Sequence, residues 1–192
     1  LLMGSVSDSL KSEEFNNLSS YLERGGSLFL SQSRIKTTLQ VQQALPIQSN
    51  IFSLLNAYGL DLQSNLVTDQ ICGRVNVQQQ MGPIRMNVPI EYPLLPVIRN
   101  FNADESIVAG LEQMQLIFAS EIKQDSASMG FVNFQPLFYT SDNSGELRGN
   151  FNLNPDPQQN PFMRIFNKSK LILGARSEKK NSNGSVSQVI LV

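Results

Sequence analysis

Residues that commonly do chemistry are scarce in this sequence. None of its 192 residues is a histidine. That removes Ser-His-Asp and Cys-His nucleophilic catalysis, imidazole-ligated metals and histidine proton shuttles. The one cysteine, Cys72, can close neither an internal disulfide nor a cysteine-cluster zinc site. It stands at the start of a predicted hairpin rather than in a nucleophile elbow; a helix N-terminus or a neighbour such as Arg74 could lower its pKa, but without a histidine to activate it, it reads as a packed thiol. The sequence neighbours Glu13/Glu14 and Asp104/Glu105 read as helix-start or turn charges, because general acid–base work needs two carboxylates facing one bond. These types and spacings imply no catalytic residue, no metal site and no cofactor. The expectation is a protein that is not an enzyme.

Binding candidates are more numerous. Gly25-Gly26 lies at a helix-to-strand turn, the wrong polarity for a phosphate loop, and reads as a helix C-cap. The strand-to-helix turn that could host a ligand is Gly4 to Ser9, where Gly4, Ser5 and Ser7 are the candidate ligand-binding residues, without a GxGxxG or Walker pattern. Asp69 joins them because it closes a predicted strand, where open α/β sheets place their ligand crevice; its alternative role is to cap its own turn. Between residues 164 and 180, Arg164, Lys168, Lys170, Arg176, Lys179 and Lys180 stand against one acid, Glu178, a net charge of +5. That run is either a solvated loop or a patch facing anionic lipid or a partner protein. Arg74, Arg85, Lys168 and Lys170 are the candidate partner-binding residues. The formal net charge of −1 gives no electrostatic footprint for nucleic acid.

The elements that must position these residues follow from periodicity. Leu1 to Met3 reads as a buried strand. A helix follows, capped by Ser9 or Ser12, with Glu13 and Glu14 in its first turn and Phe15, Leu18 and Leu22 on one apolar stripe. Gly25-Gly26 ends it, and Ser27 to Ser31 is the next strand, which makes a parallel βαβ unit. A second round runs from the Ser49-Asn50 cap through Ile51, Phe52, Leu54, Leu55 and Tyr58 to Gly59, then a strand at Leu66-Val67 ending at Asp69. From Ile71 alternation takes over: Val75 and Val77, a turn signal at Met81-Gly82, then Ile84, Met86 and Val88. This predicts a β-hairpin confined by Pro83 and Pro89 to a sheet edge or a protrusion. Gln113 to Ser120, Phe131 to Thr140, Leu171 to Ala175 and Val186 to Val192 read as further strands, and Ser141 to Pro161 as loop. The expected fold is a single α/β domain over residues 1–192. It has a mostly parallel sheet flanked by helices, with an added β-hairpin and C-terminal strands. No apolar run reaches the roughly 18 residues of a membrane helix. The chain opens and closes in strand-like runs, so the expectation is a piece excised from a longer protein.

Several segments, in order, resemble one family. Glu14 to Leu30 (EFNNLSSYLERGGSLFL), Leu54 to Asp69 (LLNAYGLDLQSNLVTD), Tyr92 to Pro96, Ile107 to Ser120, Pro136 to Ser141 (PLFYTS) and Val186 to Val192 are similar to the auxiliary component of gliding-motility-type ABC transporters. The resemblance implies a flavodoxin- or amidotransferase-like α/β sheet, related to class I glutamine amidotransferases and to the GIFT domain of intraflagellar transport proteins. The Cys-His pair of the amidotransferases is missing, which turns that analogy away from catalysis. It also implies a periplasmic, extracytoplasmic domain, membrane-anchored through segments outside this chain, beside an ABC permease and its ATPase. The functional expectation is a non-enzymatic accessory domain acting by protein–protein interaction. The alternative is a small-ligand-binding domain that uses the strand ends near Gly4–Ser9 and Asp69.

Overall fold

Leu2–Met3 (β1) and Ser27–Leu30 (β2) run parallel, with Leu2 opposite Phe29, and are joined by helix α1, Ser12–Glu23. The helix is capped differently from expectation. Lys11 is the N-cap, and its backbone N–H donates to the Glu14 carboxylate at 2.9 Å, while Ser12 is already helical. At the other end Gly25 takes φ +91°. Its N–H donates to the Leu22 carbonyl at 2.8 Å and that of Gly26 to the Tyr21 carbonyl at 3.1 Å, the double closure of a Schellman motif. Gly26 is favoured for a different reason: a Cβ there would lie 2.4 Å from the Tyr21 ring, which would have to shift.

The computed structural model describes residues 1–81, 84–149 and 151–192. After β2 come β3 (Ile35–Thr38), β4 (Gln43–Pro46), α2 (Ile51–Ala57), β5 (Leu60–Leu62), β6 (Leu66–Asp69), β7 (Cys72–Met81), β8 (Ile84–Ile98) and β9 (Asn100–Phe101). The remainder is β10 (Met114–Gln115), β11 (Ile122–Gln124), β12 (Val132–Tyr139), β13 (Ser144–Leu147), β14 (Ile172–Lys180) and β15 (Val186–Leu191). The main sheet has the order β1-β2-β15-β14-β12-β9. Its first three strands are parallel and the rest antiparallel. Leu18 and Leu22 of α1 and Ile51, Phe52 and Leu55 of α2 pack on Leu28, Leu30, Ala175, Val189 and Leu191 of the sheet. Ile190 and Val192 join Leu137, Phe138 and Leu173 in a second cluster. A third core lies under β8 and β13, built from Leu66, Tyr92, Leu94, Phe118, Leu147, Phe151, Leu153 and Met163.

This architecture corrects the expected one. Strands take 43% of the chain and helices 17%, so the protein is mostly β, with a mixed sheet and small satellite sheets rather than a helix-flanked parallel sheet of the flavodoxin or amidotransferase type. Strand direction is where the reading failed. The second helix–strand round does not feed the main sheet: β5 pairs antiparallel with β11, and β6 with β13. Strand β13 lies inside the stretch read as loop. Strand β14 runs on through the basic residues to Lys180 and returns as β15 after a turn with Gly184 at φ +84°. So short a connection joins only antiparallel neighbours. Of the strand predicted over Gln113 to Ser120, only β10 forms, and Phe118 takes φ +54°. The hairpin is present as β7 and β8, paired from Val75↔Ile90 to Met81↔Ile84; Gly82 of the expected Met81-Gly82 turn signal, and Pro83, lie outside the described residues.

Candidate functional site

The three parallel strands end together, and their ends build a cleft of about 560 Å³ lined by Ser5, Ser7, Ser31, Gln32, Ser33 and Val192 on one side. Residues Gln115 to Ser120 close the other side, and Lys36 and Thr37 the rim. Gln32, buried, organises the floor. Its Oε1 accepts the Val6 N–H at 2.6 Å, its Nε2 donates to the Val6 and Ser33 carbonyls, and its own N–H donates to the Val192 carbonyl. The Ser120 hydroxyl accepts the Arg34 N–H at 3.1 Å and donates to the Asn65 carbonyl at 2.8 Å. Thus Ser5 and Ser7 reach a strand-end crevice, while Gly4 sits beside it with open space around its Cα.

Asp69 is elsewhere. It is fully buried at the end of β6, does not line the cleft, and accepts three hydrogen bonds: from the Ile71 N–H at 2.8 Å, the Ser141 N–H at 2.7 Å and the Ser141 hydroxyl at 2.6 Å. The geometry is that of a carboxylate tying two turns together. Cys72, three residues on, is half-buried; burial and then the Glu91 charge push its thiol pKa up, away from thiolate chemistry.

The four candidate partner residues are dispersed. Arg74 and Arg85 lie on the hairpin, Arg74 opposite Glu91 with 3.9 Å between charges. Lys168 reaches Glu146 at 3.7 Å, and Lys170, at φ +51°, reaches Asp142 at 3.9 Å. Arg164, Arg176 and Lys179 of the basic run are also engaged within the chain. Arg164 donates to the Glu91 carbonyl, and the Lys179 ammonium sits 5.1 Å from the centre of the Tyr58 ring. Arg176 is largely buried between Glu178 and Glu105, the latter at 2.9 Å; its hydrogen bond to Glu105 leads the effects that raise its pKa over the opposing cost of burial. Glu105 is the N-cap of the 3-10 turn Ser106–Val108, a helix-start charge, and is also half of an interior ion pair.

Sequence reasoning missed a polar network beside a cavity of about 760 Å³, whose wall includes Glu146, Arg148, Lys168, Phe162 and Ile165. Asn65, fully buried, is its hub. Its amide donates to Glu146 at 2.6 Å and to Glu121 at 3.3 Å, and its Oδ1 accepts the Glu121 N–H at 3.0 Å. Arg148 lies 2.8 Å from Glu146 and 3.8 Å from Glu121. Burial raises the Glu146 pKa, but hydrogen bonds from Arg148 and Asn65, with the Arg148 and Lys168 charges, outweigh it and hold the carboxyl below its ordinary value. Gly145 lets the neighbouring segment approach, since a Cβ there would stand 2.1 Å from the Ile165 carbonyl oxygen. The available signal was Glu146 and Arg148 at i and i+2, one face of a strand, inside a segment read as loop.

A mixed sheet with two helices packed against it, a strand-end cleft and a projecting hairpin define a known kind of domain. The chain is similar to the solved structure described as "mmIFT52 N-terminal domain", with a TM-score of 0.55 and 11% identity, over 100% of this chain and 63% of that one. At that identity the likeness speaks to the fold, and this chain spans less than two thirds of the other. The chain belongs to the family described as "ABC-type uncharacterized transport system", the auxiliary family of ABC transporters, matched over residues 1–186. No curated protein matches it. Among the described residues no helix is long and apolar enough to cross a membrane.

Proposed function

We propose that this chain is a non-enzymatic accessory domain of an ABC-type transport system, acting by protein–protein interaction outside the cytoplasm. The family match over residues 1–186 carries the reading. The gliding-motility-type transporters that the sequence resembles supply the finer part: a membrane-anchored subunit beside a permease and an ATPase. The β7–β8 hairpin is the element offered to the partner, because Ile84 and Met86 are 61% and 50% exposed near its tip. The test is a photo-crosslinking residue at position 84 or 86 of the full-length parent, activated in intact cells. Capture of a permease or ATPase subunit is expected, and capture of none would overturn hairpin docking. A turnover reaction abolished by one substitution in this domain would overturn the non-enzymatic reading.

The strand-end cleft favours a second reading, a site for a small polar ligand held by Ser5, Ser7 and Gln32. A ligand-dependent rise in melting temperature that Ser7→Trp abolishes would support it, and a rise unchanged by Ser7→Trp would refute it.

A further inference from the structure

The hairpin has two edges, and the sequence protects only one of them. Asn76 pairs with Pro89, which has no N–H to give to the ladder, so Asn76↔Pro89 is a non-hydrogen-bonded pair. Every second pair shares that character. The backbone N–H and C=O groups of Arg74, Asn76 and Gln78 therefore point away from β8, and those of Val75 and Val77 point toward it. On β8 the outward set includes Pro89, which interrupts the row of donors. On β7 the outward row carries no proline and no lysine, and among the described residues no backbone group pairs with it. One edge is blocked in the way proteins block edges, and the other is left open.

The side chains sort by the same parity. Val75, Val77, Ile84, Met86, Val88 and Ile90 share one face, and Arg74, Asn76, Gln78, Arg85, Asn87 and Glu91 the other. Val75 rests against the third core, whereas the residues toward the tip are progressively exposed. A two-stranded ribbon in water is marginal by itself; three or more strands with an apolar face are stable.

We infer that the open edge of β7 pairs antiparallel with β7 of a second copy of this chain, merging two hairpins into one four-stranded sheet. Self-pairing suits this edge for reasons of charge and symmetry. Arg74 is the only charged residue of β7. Antiparallel pairing of a strand with itself is two-fold by construction. Centred on Val77, it sets Asn76 opposite Gln78 and Arg74 opposite the neutral residue Gln80, so no like charges meet. The two apolar faces then join edge to edge into one continuous face. A lone added peptide would supply the hydrogen bonds but not the second apolar face. This inference does not depend on the transporter reading, since it is tested on the chain alone.

The test is the mass of the chain by sedimentation, from micromolar to submillimolar concentration, for the wild type and for Asn76→Pro and Gln78→Pro. Each proline removes an outward N–H and leaves the β7–β8 ladder intact. The wild type is expected to dimerise with a twofold rise in mass. Both variants should stay monomeric, with self-association at least about tenfold weaker, and with unchanged circular dichroism. A wild type monomeric throughout, or variants that dimerise as it does, would overturn the inference. Should the prolines unfold the hairpin, amide exchange in the wild type decides. Protection of Asn76 and Gln78 that grows with concentration, while that of Val75 and Val77 is constant, supports the pairing. Protection of Asn76 and Gln78 independent of concentration refutes it.

Discussion

Replacing Asp69 by alanine separates a structural carboxylate from a ligand-holding one. The wild-type carboxylate accepts from the Ile71 N–H, the Ser141 N–H and the Ser141 hydroxyl, all within 2.8 Å, in a site with no solvent exposure. Hydrogen bonds to a charged group contribute about 1.5–3 kcal/mol each, and a buried donor left without an acceptor costs about 1–3 kcal/mol. The three share one acceptor group and do not add fully, so Asp69→Ala is expected to cost about 3–5 kcal/mol. For a domain of this size that lowers the melting temperature by about 6–20 °C. Asp69→Asn keeps one acceptor oxygen but turns an amide toward the Ser141 N–H, and should cost about half as much. Urea denaturation followed by circular dichroism measures both. A carboxylate held in reserve for a ligand would behave oppositely, its removal leaving the free protein as stable as before or more so. A loss below about 1 kcal/mol for Asp69→Ala would refute the argument.

Further consequences are open to measurement. Gly145→Ala should destabilise by about 1–3 kcal/mol or more, since its Cβ would overlap the Ile165 carbonyl oxygen, whereas Gly149→Ala, with open space but φ +77°, should show only backbone strain. Because the Glu146 pKa is lowered in the folded state, its contribution to stability is present above the unfolded value of 4.5 and lost as pH falls through the folded one; Glu146→Gln should flatten the acid limb of a stability–pH profile. Burial pushes the Tyr92 phenol up to about 12, so its contribution is complete below pH 10 and lost as pH rises toward 12, a loss absent from Tyr92→Phe. That variant also gives up the 2.7 Å hydrogen bond to the Leu153 carbonyl, at a cost of about 1 kcal/mol in urea.

Local structure was legible where local rules decide it. The body of α1, the Gly25-Gly26 stop, the parallel β1–β2 pair and the β7–β8 alternation all follow from residues within a few positions of each other, though the N-cap itself falls on Lys11 rather than Ser9 or Ser12. Strand direction and partner choice were not legible. Leu66-Val67 reads the same whether β6 lies parallel in a central sheet or antiparallel to β13, because burial on both faces erases the alternation that would mark the difference. The candidate residues divide the same way. Ser5 and Ser7 reach a cleft because they follow a strand end, a local rule. Asn65, Glu121, Glu146 and Arg148 meet from separate elements, and no spacing along the chain unites them. The partners of the basic run, Glu105, Asp142 and Glu146, are distant in sequence, so no spacing along the chain shows them.

The proposed role is that of a domain that binds the other subunits of an ABC-type transport system. The most direct measurement is purification of the full-length parent from its native membranes in mild detergent, with quantitative mass spectrometry of what accompanies it. An ABC permease and its ATPase are expected in fixed ratio to the parent, and in reduced amount when Ile84 and Met86 are both replaced by serine. A parent that purifies without either subunit, under conditions that keep the permease and ATPase together, would contradict it.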